Sequence, residues 1–322
     1  MLGVMKRGCL IVALGTPASP NPEDIRTFLR SFLSDPAVVD MPRWLWKPIL
    51  NQIVLRVRPK KIAPTYQSIW TSEGSPLLIH TRAQAHHLAA QLEGVKVGFA
   101  TTYTQPSIAA AIDELDVDEL VIIPLYPQYA PSTVADIWRQ VDIIESQPGS
   151  PRIIRAQAWY GNSRYISWYA RKVRDYVKSA STSIDKLVLS YHGVPQRKVH
   201  QPQLYQAQCE ATTASIIAAL NDHGIDIAWE TTYQSKFGPG KWLQPATIER
   251  MAELPGEGVH NILVLTPGFF ASCIETLDEI LVLNREAFVN AGGKDFHLIS
   301  PPDSDPEAGK ILADIYRQSR ED

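Results

Sequence analysis

Short runs of Val, Ile and Leu, separated by stretches with helical spacing, leave few folds open to this chain. The runs are Cys9–Leu14, Val95–Thr101, Leu120–Leu125, Ile153–Ala158, Leu187–Tyr191, Ile227–Thr232, Ile262–Thr266 and Phe296–Ile299. Their length and apolar content match buried strands. Between most of them, apolar residues recur on one helical face, as at Leu204, Ala207, Ala211, Ala214, Ile217 and Ala218. Strands alternating with helices predict an α/β fold of mostly parallel sheets joined by right-handed crossovers.

The strand ends repeat in the same order. Gly15-Thr16-Pro17 after the first run matches Gly193-Val194-Pro195 after the fifth. Thr101-Thr102-Tyr103 after the second matches Thr231-Thr232-Tyr233 after the sixth, and Pro124 in the third matches Pro267 after the seventh. Two similar halves follow, each a four-stranded sheet flanked by helices, with a cleft between them. The expected boundaries are 1–160, 161–303 and a C-terminal helix, 304–322, that packs back on the first half. Aligning the repeats leaves about 48 extra residues in the first half, roughly Asp35 to His80. This insertion holds Trp44 and Trp46, then Arg56, Arg58, Lys60 and Lys61, then Tyr66 and Trp70. An ordinary amphipathic helix pair fits it, and so does an aromatic and cationic lip over a flat anionic ligand or on a membrane surface.

Bulk properties exclude several classes. Of 322 residues, 45% are hydrophobic and 20% charged, with a net charge of −3 and no long basic block, which argues against nucleic acid as a partner. Three scattered cysteines, Cys9, Cys209 and Cys273, argue against a disulfide framework and point to a reducing compartment. They are too few for a four-thiolate iron–sulfur cluster. No apolar run approaches the roughly 20 residues of a membrane span, and the first run reads as a strand, not a signal peptide. A cytoplasmic protein is expected, with membrane contact only at the Trp44/Trp46 lip.

His192 closes the run Leu187–Tyr191, where Gly193 and Pro195 end the strand. It therefore stands at the carboxyl edge of a sheet, where open α/β folds bind ligands. An imidazole there can take a proton near neutral pH or hold a metal. After the seventh run, Pro267-Gly268-Phe269-Phe270 breaks the strand and Glu275 opens a helix. Glu275 is either a helix-dipole partner or a carboxylate facing His192. One imidazole and one carboxylate make an open site suited to a divalent cation in transit. A third segment, Gln234-Ser235-Lys236-Phe237-Gly238 through Trp242-Leu243, follows the sixth run at the same edge.

Together these segments resemble the ferrochelatases, which insert ferrous iron into a porphyrin to complete heme. The resemblance extends through Leu14-Gly15-Thr16-Pro17, Phe32-Leu33-Ser34-Asp35, Ile69-Trp70, Gly74-Ser75-Pro76-Leu77 and Pro124-Leu125-Tyr126-Pro127-Gln128-Tyr129. It implies two Rossmann-like halves with a cleft, and a lyase with ferrous iron and porphyrin as substrates and no permanently bound cofactor. It makes His192 and Glu275 the iron-handling and proton-accepting pair. Arg58, Lys61 and Ser75 would hold porphyrin propionates, and Tyr66, Tyr103, Trp242 and Phe269 would line the macrocycle. The motifs leave protoporphyrin IX and coproporphyrin III both open, and the Phe32–Asp35 segment inclines toward protoporphyrin.

The chain departs from the family pattern at several points. Thr102-Tyr103-Thr104 replaces the usual Arg-Tyr-Gly, and Ser272 stands in place of an acid. Pro202-Gln203 replaces a Gly-Asp pair, and Ile248 ends a segment that usually ends in Asp. A catalytically weak relative that binds porphyrin or heme as carrier or sensor is the alternative these losses motivate. A chelatase for another tetrapyrrole and metal, such as cobalt, is a third.

Overall fold

Four parallel strands, β1 (Arg7–Ala13), β2 (Val95–Thr101), β3 (Glu119–Pro124) and β4 (Arg152–Arg155), form a sheet in the order β2-β1-β3-β4. Helices α1 (Pro22–Leu33), α2 (Arg43–Ile49), α3 (Leu55–Ile69), α4 (Pro76–Ala89), α5 (Ile108–Leu115) and α6 (Asp136–Glu145) accompany it. A second all-parallel sheet, β5 (Lys186–His192), β6 (Trp229–Gln234), β7 (Asn261–Leu265) and β8 (Asp295–Ile299), has the order β6-β5-β7-β8. Its helices are α7 (Ser163–Ser179), α8 (Pro202–Asn221), α9 (Thr247–Glu253) and α10 (Arg285–Asn290). The identical strand order is the structural form of the repeat in the strand ends. The computed structural model describes residues 5–236 and 240–321, so Phe237 and Gly238 of the third motif lie outside the described residues.

The chain divides into two compact units. One takes in Met1–Tyr126, Ala130–Ala158 and Asp303–Asp322; the other takes in Pro127–Tyr129 and Trp159–Pro302. The last helix, α11 (Pro306–Glu321), thus belongs with the first unit, where it packs on α4 and β3. In the first unit Leu10, Val12 and Ile122 bury one sheet face against Ile108, Ile112, Ile137 and Val141. In the second, Val188, Ile262 and Val264 pack with Met251, Leu254 and Phe288. Each such side chain contributes roughly 1.5–3 kcal/mol through burial.

Local chemistry sets the helix starts. Pro22 and Pro76 occupy first turns, where a missing N–H costs nothing. Asn162 caps α7 by accepting from the Tyr165 N–H at 3.0 Å. β6 lies two residues later than its apolar run suggests. Its buried positions are Thr232, Tyr233 and Gln234, and this register sets Gln234 opposite His192.

The insertion is helical, with a π-helical turn at Leu50–Val54 between α2 and α3. Its two tryptophans differ. Trp44 is 79% exposed, whereas the Trp46 indole N–H donates to the Leu33 carbonyl at 2.6 Å. Of the two, Trp44 is the outward ring and Trp46 the anchored one. Among the described residues no helix is long and apolar enough to cross a membrane. All three cysteines are free thiols.

Candidate active site

His192 ends β5 as an exposed side chain after a buried strand. Its Nδ1 lies 2.8 Å from the Gly193 carbonyl oxygen, which can only accept, so Nδ1 carries a proton and the lone pair of the neutral tautomer falls on Nε2. Gly193 is required here. A Cβ would sit 2.7 Å from the Gln234 carbonyl oxygen and 3.5 Å from the Trp242 ring. The loops after β5 and β6 pair, with the Gln196 N–H donating to Lys241 at 2.7 Å and Leu243 to Val194 at 3.1 Å. That pairing brings half-buried Trp242 beside the histidine strand. Phe269 lies on the turn after β7, its ring 6.4 Å from the imidazole.

Glu275 opens a ten-residue π-helix, Glu275–Asn284. Such wide helical segments recur at functional sites. Buried Gln234 ties it to β6 by donating to the Glu275 carbonyl at 2.9 Å while accepting from Ser190. The sequence reading missed Glu279. Ser235, in a left-handed conformation with φ +64°, donates its N–H to Glu279 at 2.6 Å and its hydroxyl to the other carboxylate oxygen. Burial and the neighbouring Glu275 raise the Glu279 carboxyl above its ordinary value, while the Ser235 donors and His192 oppose that shift. Glu279 is thus an acid in electrostatic contact with both His192 and Glu275. Its signal in the sequence was the four-residue spacing from Glu275, which keeps two side chains on one helical face.

In the first unit, Arg58, Lys61 and Tyr66 all lie on α3, with Arg58 half-buried, Lys61 exposed and Tyr66 buried edge-on against Trp70. Ser75 precedes α4, buried, with its hydroxyl accepting from Thr16 at 2.9 Å. Tyr103 follows β2; its N–H donates to Leu14 at 3.1 Å and its hydroxyl to Asp35 at 2.6 Å. Ser75 and Tyr103 thereby meet the same loop after β1. Burial, then the Asp35 contact, pushes the Tyr103 phenol well up, so it stays neutral. Thr102 stands where the family resemblance leads to an arginine, but a guanidinium is present from elsewhere: Arg139 of α6 lies 3.8 Å from Asp35. Ser272 and Ile248 differ in setting, the former buried and the latter exposed.

The family model described as Ferrochelatase matches residues 6–320. The chain belongs to the ferrochelatase family. A protein of Lactococcus lactis named coproporphyrin III ferrochelatase is 43% identical over 98% of this chain and 99% of its own length. One of the same name from Enterococcus faecalis is 39% identical over 97% and 99%. A relative from Sodalis glossinidius named ferrochelatase is 43% identical over 91% of this chain and 88% of its own. Among solved structures, SirB from Bacillus subtilis with Fe3+ superposes with TM-score 0.57 at 13% identity, covering 98% of this chain and 96% of that one, a likeness of fold alone. This ferrochelatase is a lyase of heme biosynthesis whose reaction inserts iron into a porphyrin.

Proposed function

We propose that His192 is the proton acceptor of this ferrochelatase, and that Glu275 and Glu279 share the handling of ferrous iron and the second proton. The observation that carries this reading is the bond from His192 Nδ1 to the Gly193 carbonyl, which supports Nε2 as a standing base. Metal entry releases two pyrrole protons, and an imidazole beside two carboxylates can accept both in turn. Ferrous iron sheds water as it arrives, and carboxylate oxygens replace part of its shell. Trp242 and Phe269 offer flat faces to the macrocycle. Bending the ring draws ~1–5 kcal/mol from remote contacts, supplied here by propionates at Arg58, Lys61 and Ser75 and by stacking at Tyr66 and Tyr103.

Coproporphyrin III is the substrate we favour over protoporphyrin IX. Helix α3 carries Arg56, Arg58, Lys60 and Lys61 with no acid among its residues. That much positive charge suits a tetracarboxylate better than a dicarboxylate. The names of the full-length relatives from Lactococcus lactis and Enterococcus faecalis support the same choice. The Phe32–Asp35 segment gives no opposing weight, because Asp35 is engaged by Tyr103. The reaction belongs in the cytoplasm, with Trp44 as a peripheral membrane contact and no cofactor retained between turnovers.

Anaerobic insertion assays with ferrous iron and each porphyrin test the proposal. Wild-type protein should turn over coproporphyrin III with the higher kcat/KM, and His192→Ala should abolish turnover while porphyrin still binds. Tight binding without insertion by the wild type would instead favour the carrier, and insertion retained in His192→Ala would remove the histidine from its role.

A further inference from the structure

Tyr103 helps to line an open hollow of about 270 Å³ on the first unit, whose wall also includes Asp35, Arg43, Asp136 and Arg139. Two of these groups are carboxylates out of solvent: the Asp35 and Asp136 side chains are each 4% exposed. Buried carboxylates without a counter-charge are costly. Arg139 reaches both, contacting Asp136 directly and Asp35 at 3.8 Å, from a side chain that is 56% exposed. Gln140, the next residue of α6, donates to Asp136 at 2.8 Å and to the Thr102 carbonyl at 3.0 Å. Asp35 also accepts from the Ala37 N–H at 2.8 Å through the oxygen that Tyr103 does not use. The Tyr103 ring is held edge-on to Phe32 at 5.3 Å while its hydroxyl is committed to Asp35.

We propose that Arg139 is a positioning residue for porphyrin binding, acting through Asp35 to set the plane and hydrogen bond of Tyr103. This rests on Tyr103 lining the macrocycle, as argued above. The guanidinium does not touch the ligand. It lies 3.8 Å from the same Asp35 oxygen that accepts the Tyr103 hydroxyl, and so draws that oxygen into one place for the phenol to meet. The ring then presents one face rather than sampling several rotamers, and the cost of ordering it is met before the porphyrin arrives. The effect falls on binding, because the iron and proton groups proposed above, His192, Glu275 and Glu279, lie on other elements.

The test is a double-mutant cycle on the full chain with Arg139→Met, Tyr103→Phe and the pair, plus Arg139→Lys as the conservative variant. Coproporphyrin affinity is read by fluorescence quenching, kcat and KM by anaerobic insertion, and folding by thermal melts. Arg139→Met should raise Kd and KM about five- to tenfold with kcat nearly unchanged. Arg139→Lys should recover most of the loss, and the double variant should match Tyr103→Phe alone. Unchanged Kd in Arg139→Met, or additive losses in the double variant, overturns the proposal. Should Arg139→Met fail to fold, Arg139→Gln carries the same comparison. Wild-type protein that binds no porphyrin would defeat the functional reading itself. Wild-type binding without Arg139–Tyr103 coupling defeats only the positioning role.

Discussion

Ser235 binds both oxygens of the Glu279 carboxylate, one through its N–H at 2.6 Å and the other through its hydroxyl. The end of β6 is thereby fastened to the π-helix that begins at Glu275, and the carboxylate is held in one orientation.

Glu279 makes stability depend on pH in a defined direction. Burial, helped by Glu275, raises its carboxyl above the ordinary 4.5. The folded chain therefore holds this proton more tightly than the unfolded chain. Its contribution is complete below pH 4.5 and is lost as pH rises through the raised value. Glu279→Gln, which never ionises, should gain stability relative to wild type as pH rises. Urea denaturation from about pH 4 to about pH 8 measures this; parallel curves for the two proteins would refute it.

Gly193→Ala should damage the site and the fold together. Its Cβ would meet the Gln234 carbonyl oxygen at 2.7 Å, a backbone atom that cannot swing aside. Overpacking of this kind costs about 1–3 kcal/mol. Gly161→Ala is the control, since a Cβ there meets nothing within 4 Å. The Gly193 variant should melt lower with altered Trp242 emission, whereas equal melting temperatures for the two variants would argue against the close approach.

The two tryptophans of the insertion should separate in membrane tests. Trp44 is exposed, as are Leu45, Ile53 and Val57 of the same insertion. Trp44→Ser should abolish vesicle cosedimentation and the accompanying fluorescence shift. Trp46→Phe should leave both intact but lose about 1 kcal/mol of stability with the Leu33 hydrogen bond. Equal effects of the two substitutions on vesicle binding would contradict this division.

Gly309 permits the close crossing of α11 over α4. A Cβ at this position would lie 2.5 Å from the His87 carbonyl carbon and oxygen. Gly309→Ala should destabilise the first unit by about 1–3 kcal/mol. Hydrogen exchange should rise in α4 as well as α11, and protection unchanged in α4 would contradict the contact.

The strands were legible because each is a local run of aliphatic residues, and the paired strand orders could be glimpsed in repeated Gly-x-Pro and Thr-x-Tyr ends. β6 was misplaced by two residues because Ile227 looked like core, while the buried positions are the more polar Thr232 and Gln234. The helix at Glu275 was legible as a helix but not as a π-helix, since apolar spacing barely distinguishes the two. Trp44 and Trp46 looked alike because the Leu33 carbonyl that captures one of them is a tertiary neighbour. Arg139 was invisible as a partner of Asp35 for the same reason: nothing local in either segment announces the other. The places of His192 at the end of β5 and Glu275 at a helix start were legible from the strand-breaking residues beside them, whereas Glu279 needed the Ser235 contacts to stand out.

Helix α11 has one further consequence. Ile311, Leu312, Ile315 and Tyr316 are buried, and the unit they complete begins at the other end of the chain. On the ribosome the N-terminal sheet must therefore wait, with part of its aliphatic surface bare, until α11 has been made. A premature stop after Pro302 would harm the half made first, and newly made N-terminal sheet is where a chaperone would be needed.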